Sequence, residues 1–172
     1  MAEGIYLPPI PRGTLLPEPA RVERLQQALP LILATTEGET DAVAIQATLA
    51  TLLWDALPQA SWCGFYRTTA PGMLTVGPYR GPMGCLRIPF ERGVCGACAR
   101  TGQTQLVEDV TRFADHIACD DATRSELVVP VFAHGEVVAV LDLDSHQLAA
   151  FSAREAEVLE AFLSRAFATA VF

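Results

Sequence analysis

The sequence predicts an α+β fold, a single domain whose mostly antiparallel sheet is flanked by N-terminal and C-terminal helices. Two helical patterns come first, then a run of short apolar segments divided by Gly and Pro, then one closing helix. A chain of 172 residues suits one domain with a real core. At 51% hydrophobic and 19% charged, its composition is that of a folded chain rather than a disordered one.

Residues 1–19 hold five of the twelve prolines, at 8, 9, 11, 17 and 19, and read as an extended arm, ordered only if it docks. The domain proper is then residues 20–172. A first helix is expected from Ala20, broken or kinked at Pro30. In the second, Thr40 is the expected cap, Asp41 suits the positive end, and Ile45, Leu49, Leu52, Leu53 and Leu57 form the apolar stripe up to Pro58. Strands are expected at Ser61–Thr68, Met73–Val76 and Met83–Pro89, separated by Pro71-Gly72 and by Gly77-Pro78 through Gly81-Pro82. A short helix at Val94–Arg100 ends at Gly102, and a strand follows at Gln103–Glu108. Residues 109–124 form a polar loop, and loops of that length in a compact domain are more often functional than idle. Strands Glu126–Phe132 and Glu136–Asp144 meet at His134-Gly135, and Ser152-Ala153-Arg154-Glu155 is a capping box for the last helix.

The balance of 12 Lys and Arg against 20 Asp and Glu gives a net charge of −8, which argues against nucleic acid. No basic start with an apolar run marks a secretory signal, and Gln46, Thr48, Thr51 and Asp55 break the apolar stretch 42–57, so no membrane span is expected. A cytoplasmic, thiol-reducing setting is the default. Five cysteines, an odd number, cannot all pair within one chain, so the count points to chemistry rather than to a disulfide scaffold.

Taken singly, each of Cys63, Cys85, Cys95, Cys98 and Cys119 reads first as a small buried hydrophobe. Cys95 and Cys98 form a C-x-x-C, but no second pair or Cys/His partner pair completes a zinc site, and no metal or other cofactor is expected. The short helix in an antiparallel context is also a poor match to a thioredoxin-type motif. Cys119 stands apart: it lies in the polar loop, three residues after His116 and shortly before Arg124, where a thiolate can be stabilised. His116 itself reads first as an exposed loop histidine.

Alternation along Glu136–Asp144 puts Val137, Ala139, Leu141 and Leu143 on one face and Val138, Val140, Asp142 and Asp144 on the other. Glu126 joins the two aspartates only if the hairpin register is shifted by one residue, through a three-residue loop or a bulge, which Pro130 makes reasonable. The shifted register is the one expected. Clustered carboxylates raise the pKa of one member, and a retained proton makes an acid able to donate to a developing oxyanion. Trp62 and Tyr66 share a face of their strand, whereas Phe65 points the other way. They read as packing residues or as a box for a small apolar or cationic group.

Seven segments carry a closer resemblance: Trp62-Cys63-Gly64-Phe65-Tyr66, Val76-Gly77-Pro78-Tyr79, Gly84-Cys85-Leu86-Arg87-Ile88, Gly93-Val94-Cys95-Gly96, His116-Ile117-Ala118-Cys119-Asp120, Ser125 through Val131, and Leu141-Asp142-Leu143-Asp144-Ser145. In order, from about residue 40 to the C-terminus, they resemble the free methionine-(R)-sulfoxide reductases, enzymes built on a GAF domain. That resemblance implies reduction of free methionine-(R)-sulfoxide to methionine. It implies Cys119 as the catalytic cysteine, Cys85 as the resolving one and Cys95 as an auxiliary. Glu126, Asp142 and Asp144 are implied as acidic site residues, and Trp62 and Tyr66 as the pocket at the methyl end. A thioredoxin-like reductant and a homodimer are implied as partners. Cys63, Cys98, Pro82 and Gly84 depart from the family's usual residues, and the arm lies outside the resemblance. Two other readings share the fold: a GAF sensor that binds a small molecule without catalysis, and a thiol switch centred on Cys95-Cys98.

Overall fold

The computed structural model describes residues 7–117 and 119–172, so the start of the arm and Ala118 lie outside the described residues. Four α-helices, α1 (Glu18–Thr35), α2 (Ala42–Ala56), α3 (Gly93–Thr101) and α4 (Ala153–Ala166), surround six strands: β1 (Trp62–Ala70), β2 (Met73–Arg80), β3 (Arg87–Pro89), β4 (Gln105–Val107), β5 (Ser125–Ala133) and β6 (Glu136–Ser145). The strands form one antiparallel sheet in the order β3-β2-β1-β6-β5-β4. Each face has its own core. Cys63, Phe65, Leu127, Val129, Leu141 and Leu143 bury one face against α1, α2 and α4. Trp62, Tyr66, Leu74, Ile88, Val128 and Val140 bury the other against α3. No helix among the described residues is long and apolar enough to cross a membrane.

Several elements differ from expectation. Helix α1 runs through Pro30 without a break. Proline inside a helix costs about 3 kcal/mol, but Pro30 is exposed while Leu25, Ala28, Leu29 and Ile32 on either side of it sit in the core. Asp41, not Thr40, caps α2, accepting from the N–H groups of Val43 and Ala44. Strand β2 continues past Val76 to Arg80, through Gly77 and Pro78, because Gly64 of β1 lets Tyr79 approach closely. A Cβ at Gly64 would lie 2.2 Å from the Tyr79 Cβ. Strand β3 is only Arg87–Pro89, which leaves residues 81–86 as a loop.

The β5–β6 hairpin takes the shifted register. His134 and Gly135, both at positive φ, make a two-residue turn that pairs Ala133 with Glu136. An irregularity then skips Val138, and from Val131 onward the pairing brings Glu126 opposite Asp144. The bulge also exchanges faces before it: Val138 packs with the helix-side core and Val137 with the α3 side, the reverse of strict alternation. Pro130 sits beside the bulge, beyond the end of β4, which pairs only with residues 126–128.

The arm docks. Gly13 donates its N–H to the Pro58 carbonyl, and the Arg12 guanidinium donates to the Leu57 and Trp54 carbonyls while lying 3.8 Å over the Trp54 ring. Arg21 of α1 reaches the fully buried Glu155 of α4 with three contacts of 3.0–3.1 Å, and Gln59 donates to the same carboxylate. Glu155 also closes the capping box with Ser152.

Candidate active site

The α3 side of the sheet presents the site in rows. Trp62 pairs with Asp144, which pairs with Glu126; one row on, Gly64 pairs with Asp142, which pairs with Val128; then Tyr66 pairs with Val140. Period-2 geometry keeps these side chains on one face, so three strands bring two aromatic rings and three carboxyl groups together. Trp62 stacks between Tyr66 and Tyr79, at ring-centroid separations of 5.5 and 5.0 Å, and donates its indole N–H to the Pro82 carbonyl. Gly84 lets the 81–86 loop close over the rings, since an added Cβ would lie 2.9 Å from the Tyr66 hydroxyl and 3.2 Å from the indole.

Helix α3 covers the carboxyl groups. The Cys95 thiol faces Glu126 at 3.8 Å from Oε1, and Cys98, one turn on, faces the Val128 carbonyl. The loop before β5 covers the rest, with Gly93 N–H bound to the Asp115 carbonyl and Asp115 itself at positive φ. His116 is not the exposed loop residue expected. It is 17% exposed, lines the cavity, and places Nε2 3.5 Å from Glu126 Oε2. Arg124 donates to the Asp121 and Thr123 carbonyls and holds the loop together.

Cys119 is joined to Cys85 of the 81–86 loop by a disulfide; both are half-buried, and Cys119 lines the cavity. Cys63, Cys95 and Cys98 are free and buried. With the disulfide closed the cavity measures about 30 Å³, room for about two waters. Asp120, next to Cys119, accepts from the Ala122 N–H at 2.9 Å and meets His146 Nε2 at 2.8 Å. These bonds hold Asp120 below the usual carboxylate range. His146 carries no signal in the sequence, because it lies 26 residues from Asp120 and belongs to no spaced motif.

Burial governs the electrostatics. Desolvation, and then the charge of Asp144, pushes Glu126 well above its ordinary value. Asp142 is raised by desolvation and by Glu126, and its Oδ1 is buried without a hydrogen-bond partner among the described residues. Asp144 is raised by desolvation and by Asp142, though contact with solvent on one side limits what burial does to it. Burial also lowers His116. An ion pair would raise the histidine and lower the glutamate; here burial moves both toward the neutral form across the 3.5 Å contact. Cys95 is raised by burial and by the carboxylates around it, and stays a thiol. The Cys95, Glu126 and Asp142 donors lie within 4.8 Å of one another, close enough for an ion. Burial favours the protonated form of each, so an ion would have to displace those protons.

Comparison with known proteins gives a consistent result. The GAF domain family matches residues 39–171. The free methionine-R-sulfoxide reductase of Escherichia coli is 37% identical over 77% of this chain and 79% of its own length. The Saccharomyces cerevisiae protein of the same name is 36% identical over 80% and 81%. The crystal structure of the Neisseria meningitidis enzyme in complex with its substrate superposes with a TM-score of 0.83 at 36% identity, covering 93% of this chain and 94% of that one.

Proposed function

The chain belongs to the GAF domain family, among relatives named free methionine-R-sulfoxide reductases, and on that premise we propose that it reduces free methionine-(R)-sulfoxide to methionine with Cys119 as nucleophile. One observation carries this reading. The only cysteines joined among the described residues are Cys85 and Cys119, and Cys119 lines a cavity together with Trp62, Tyr66, Glu126, Asp142 and Asp144. A sensor pocket has no use for a disulfide beside it, and a Cys95-Cys98 switch has no exposed sulfur, since Cys95 is 3% and Cys98 0% exposed.

The chemistry follows from those groups. The Cys119 thiolate attacks the sulfoxide sulfur, and the sulfoxide oxygen takes a proton from the buried carboxyl cluster as its bond to the substrate sulfur weakens. Methionine leaves with sulfur reduced by two electrons, and the oxygen remains as the sulfenic hydroxyl of Cys119. The Cys85 thiol then attacks the Cys119 sulfur, water departs, and the disulfide forms. Glu126 and Asp142, buried side by side, are the proton donors; Asp144, nearer solvent and opposite Trp62, holds the substrate ammonium. The faces of Trp62 and Tyr66 receive the methyl end. Cys95 donates to Glu126 and fixes the carboxyl orientation as an auxiliary thiol. A thioredoxin-like dithiol restores the two thiols, which needs a thiol-reducing compartment.

The test is a panel of free and peptide-bound R and S sulfoxides with dithiothreitol as reductant. Turnover of the free R form alone, abolished in Cys119→Ser, is the expected result. Full turnover by Cys119→Ser would remove the assignment.

A further inference from the structure

The loop between β2 and β3 reads Gly81-Pro82-Met83-Gly84-Cys85-Leu86, six residues without a charge in a chain of net charge −8. Met83 is 79% and Leu86 70% exposed. Single exposed apolar residues need no explanation, but two large ones bracketing a half-buried disulfide form a patch around a reactive bond. The loop is not slack. The Pro82 carbonyl accepts from Trp62 and the Leu86 carbonyl from the Val76 N–H, so the backbone is pinned while Leu86 stays exposed and Met83, also exposed, borders the cavity. Exposed Arg87 follows the segment at its β3 end, whereas the Arg80 guanidinium lies on the helix side of the sheet, 5.8 Å over the Trp54 ring.

We propose that this loop is the docking surface for the dithiol protein that reopens the disulfide, and that Cys85 is the sulfur it attacks; the proposal rests on the reductase reading above. The two sulfurs are not equivalent to an incoming thiolate. Cys119 is followed by Asp120, held ionised, and by exposed Asp121, which repel an anion. Cys85 lies in a segment without a charge, with exposed Arg87 two residues on, and beside apolar side chains that exclude water once covered. The partner thiolate bonds to Cys85 Sγ, the bond to Cys119 breaks, and Cys119 departs as the thiolate that the next cycle needs. The partner's second thiol then attacks its own first sulfur in the mixed disulfide, and Cys85 leaves. The partner ends as a disulfide, and two electrons and two protons reach Cys85 and Cys119.

The test follows thiol release from the oxidised full chain, which needs no sulfoxide and stays informative even if the substrate assignment fails. Reduced thioredoxin and dithiothreitol are compared on the parent, Leu86→Glu and Arg87→Glu. Placing charge in a transient apolar interface, or reversing it at the rim, is expected to slow reduction by thioredoxin about tenfold. Reduction by dithiothreitol, which needs no docking surface, should stay within about twofold. A thioredoxin lacking its second cysteine should be trapped on Cys85, as located by peptide mapping. Unchanged thioredoxin rates, an equal loss with dithiothreitol, or trapping on Cys119 would each overturn the proposal.

Discussion

Burial raises Glu126, Asp142 and Asp144 above their ordinary carboxyl values, and this has a consequence for stability. Where the native state binds more protons, stability falls as pH rises. The sign is that of a raised carboxyl: stability is full below the ordinary carboxyl value of about 4 and declines up to the raised values of the folded protein, each tenfold gain in proton affinity being worth about 1.4 kcal/mol. Urea unfolding of the oxidised protein should therefore show lower stability at pH 8 than at pH 5. The Glu126→Gln, Asp142→Asn double variant should lose most of that difference while losing turnover. An equal decline in both proteins would place the pH dependence elsewhere. These carboxyls were legible in the sequence, because spacing by two on a strand fixes a face and Pro130 suggested the bulge that sets the register. His116 was not, because no local pattern tells a loop histidine which way to turn. Its place depends on Gly93 and Asp115, whose backbone bond turns the loop inward.

Between elements, the buried Arg21–Glu155 pair joins α1 to α4, although Arg21 lies before the matched residues 39–171. Arg21→Ala would strand a fully buried carboxylate that Gln59 and the Ser152 N–H also use, and should destabilise the fold by about 3–5 kcal/mol in urea titration. A loss below about 1 kcal/mol would mean that the carboxylate finds water or a proton. The half-exposed His146–Asp120 contact is worth less, about 0.2–1 kcal/mol, but it ties the segment after Cys119 to the end of β6. His146→Ala should speed amide exchange at residues 119–123 while leaving the β5–β6 hairpin protected; unchanged exchange would show the loop to be held by its own turn. Element order and type were legible from periodicity and from turn residues. What failed were local rules that tertiary contacts override: Pro30 is carried through α1 by burial on both sides, and Gly77-Pro78, expected as a turn, stays in strand because Gly64 makes room for Tyr79.

Across the whole molecule, one sheet divides two jobs. Its helix-side face holds the larger core, and its other face carries the three carboxyls, the Trp62 and Tyr66 rings, Cys95 and Cys119. The arm wraps the first job's side through Arg12 and Gly13, and a chain starting at Glu18 should unfold at lower temperature, having lost two guanidinium–carbonyl bonds of about 1 kcal/mol each. An unchanged melting temperature would make the arm a passenger. Composition showed that the five cysteines could not all be paired, and the fold sorts them by position: two joined in the disulfide, one against Glu126 in the cavity, and two in the cores. The reaction is therefore defined by the thiols it consumes. Fully reduced protein, with all five thiols free, is given one equivalent of free methionine-(R)-sulfoxide without reductant, followed by thiol titration and peptide mapping. The predicted outcome is one equivalent of methionine, two thiols lost, and a single disulfide between Cys85 and Cys119. Methionine formed with a Cys95–Cys98 disulfide, or no methionine at all, would contradict it.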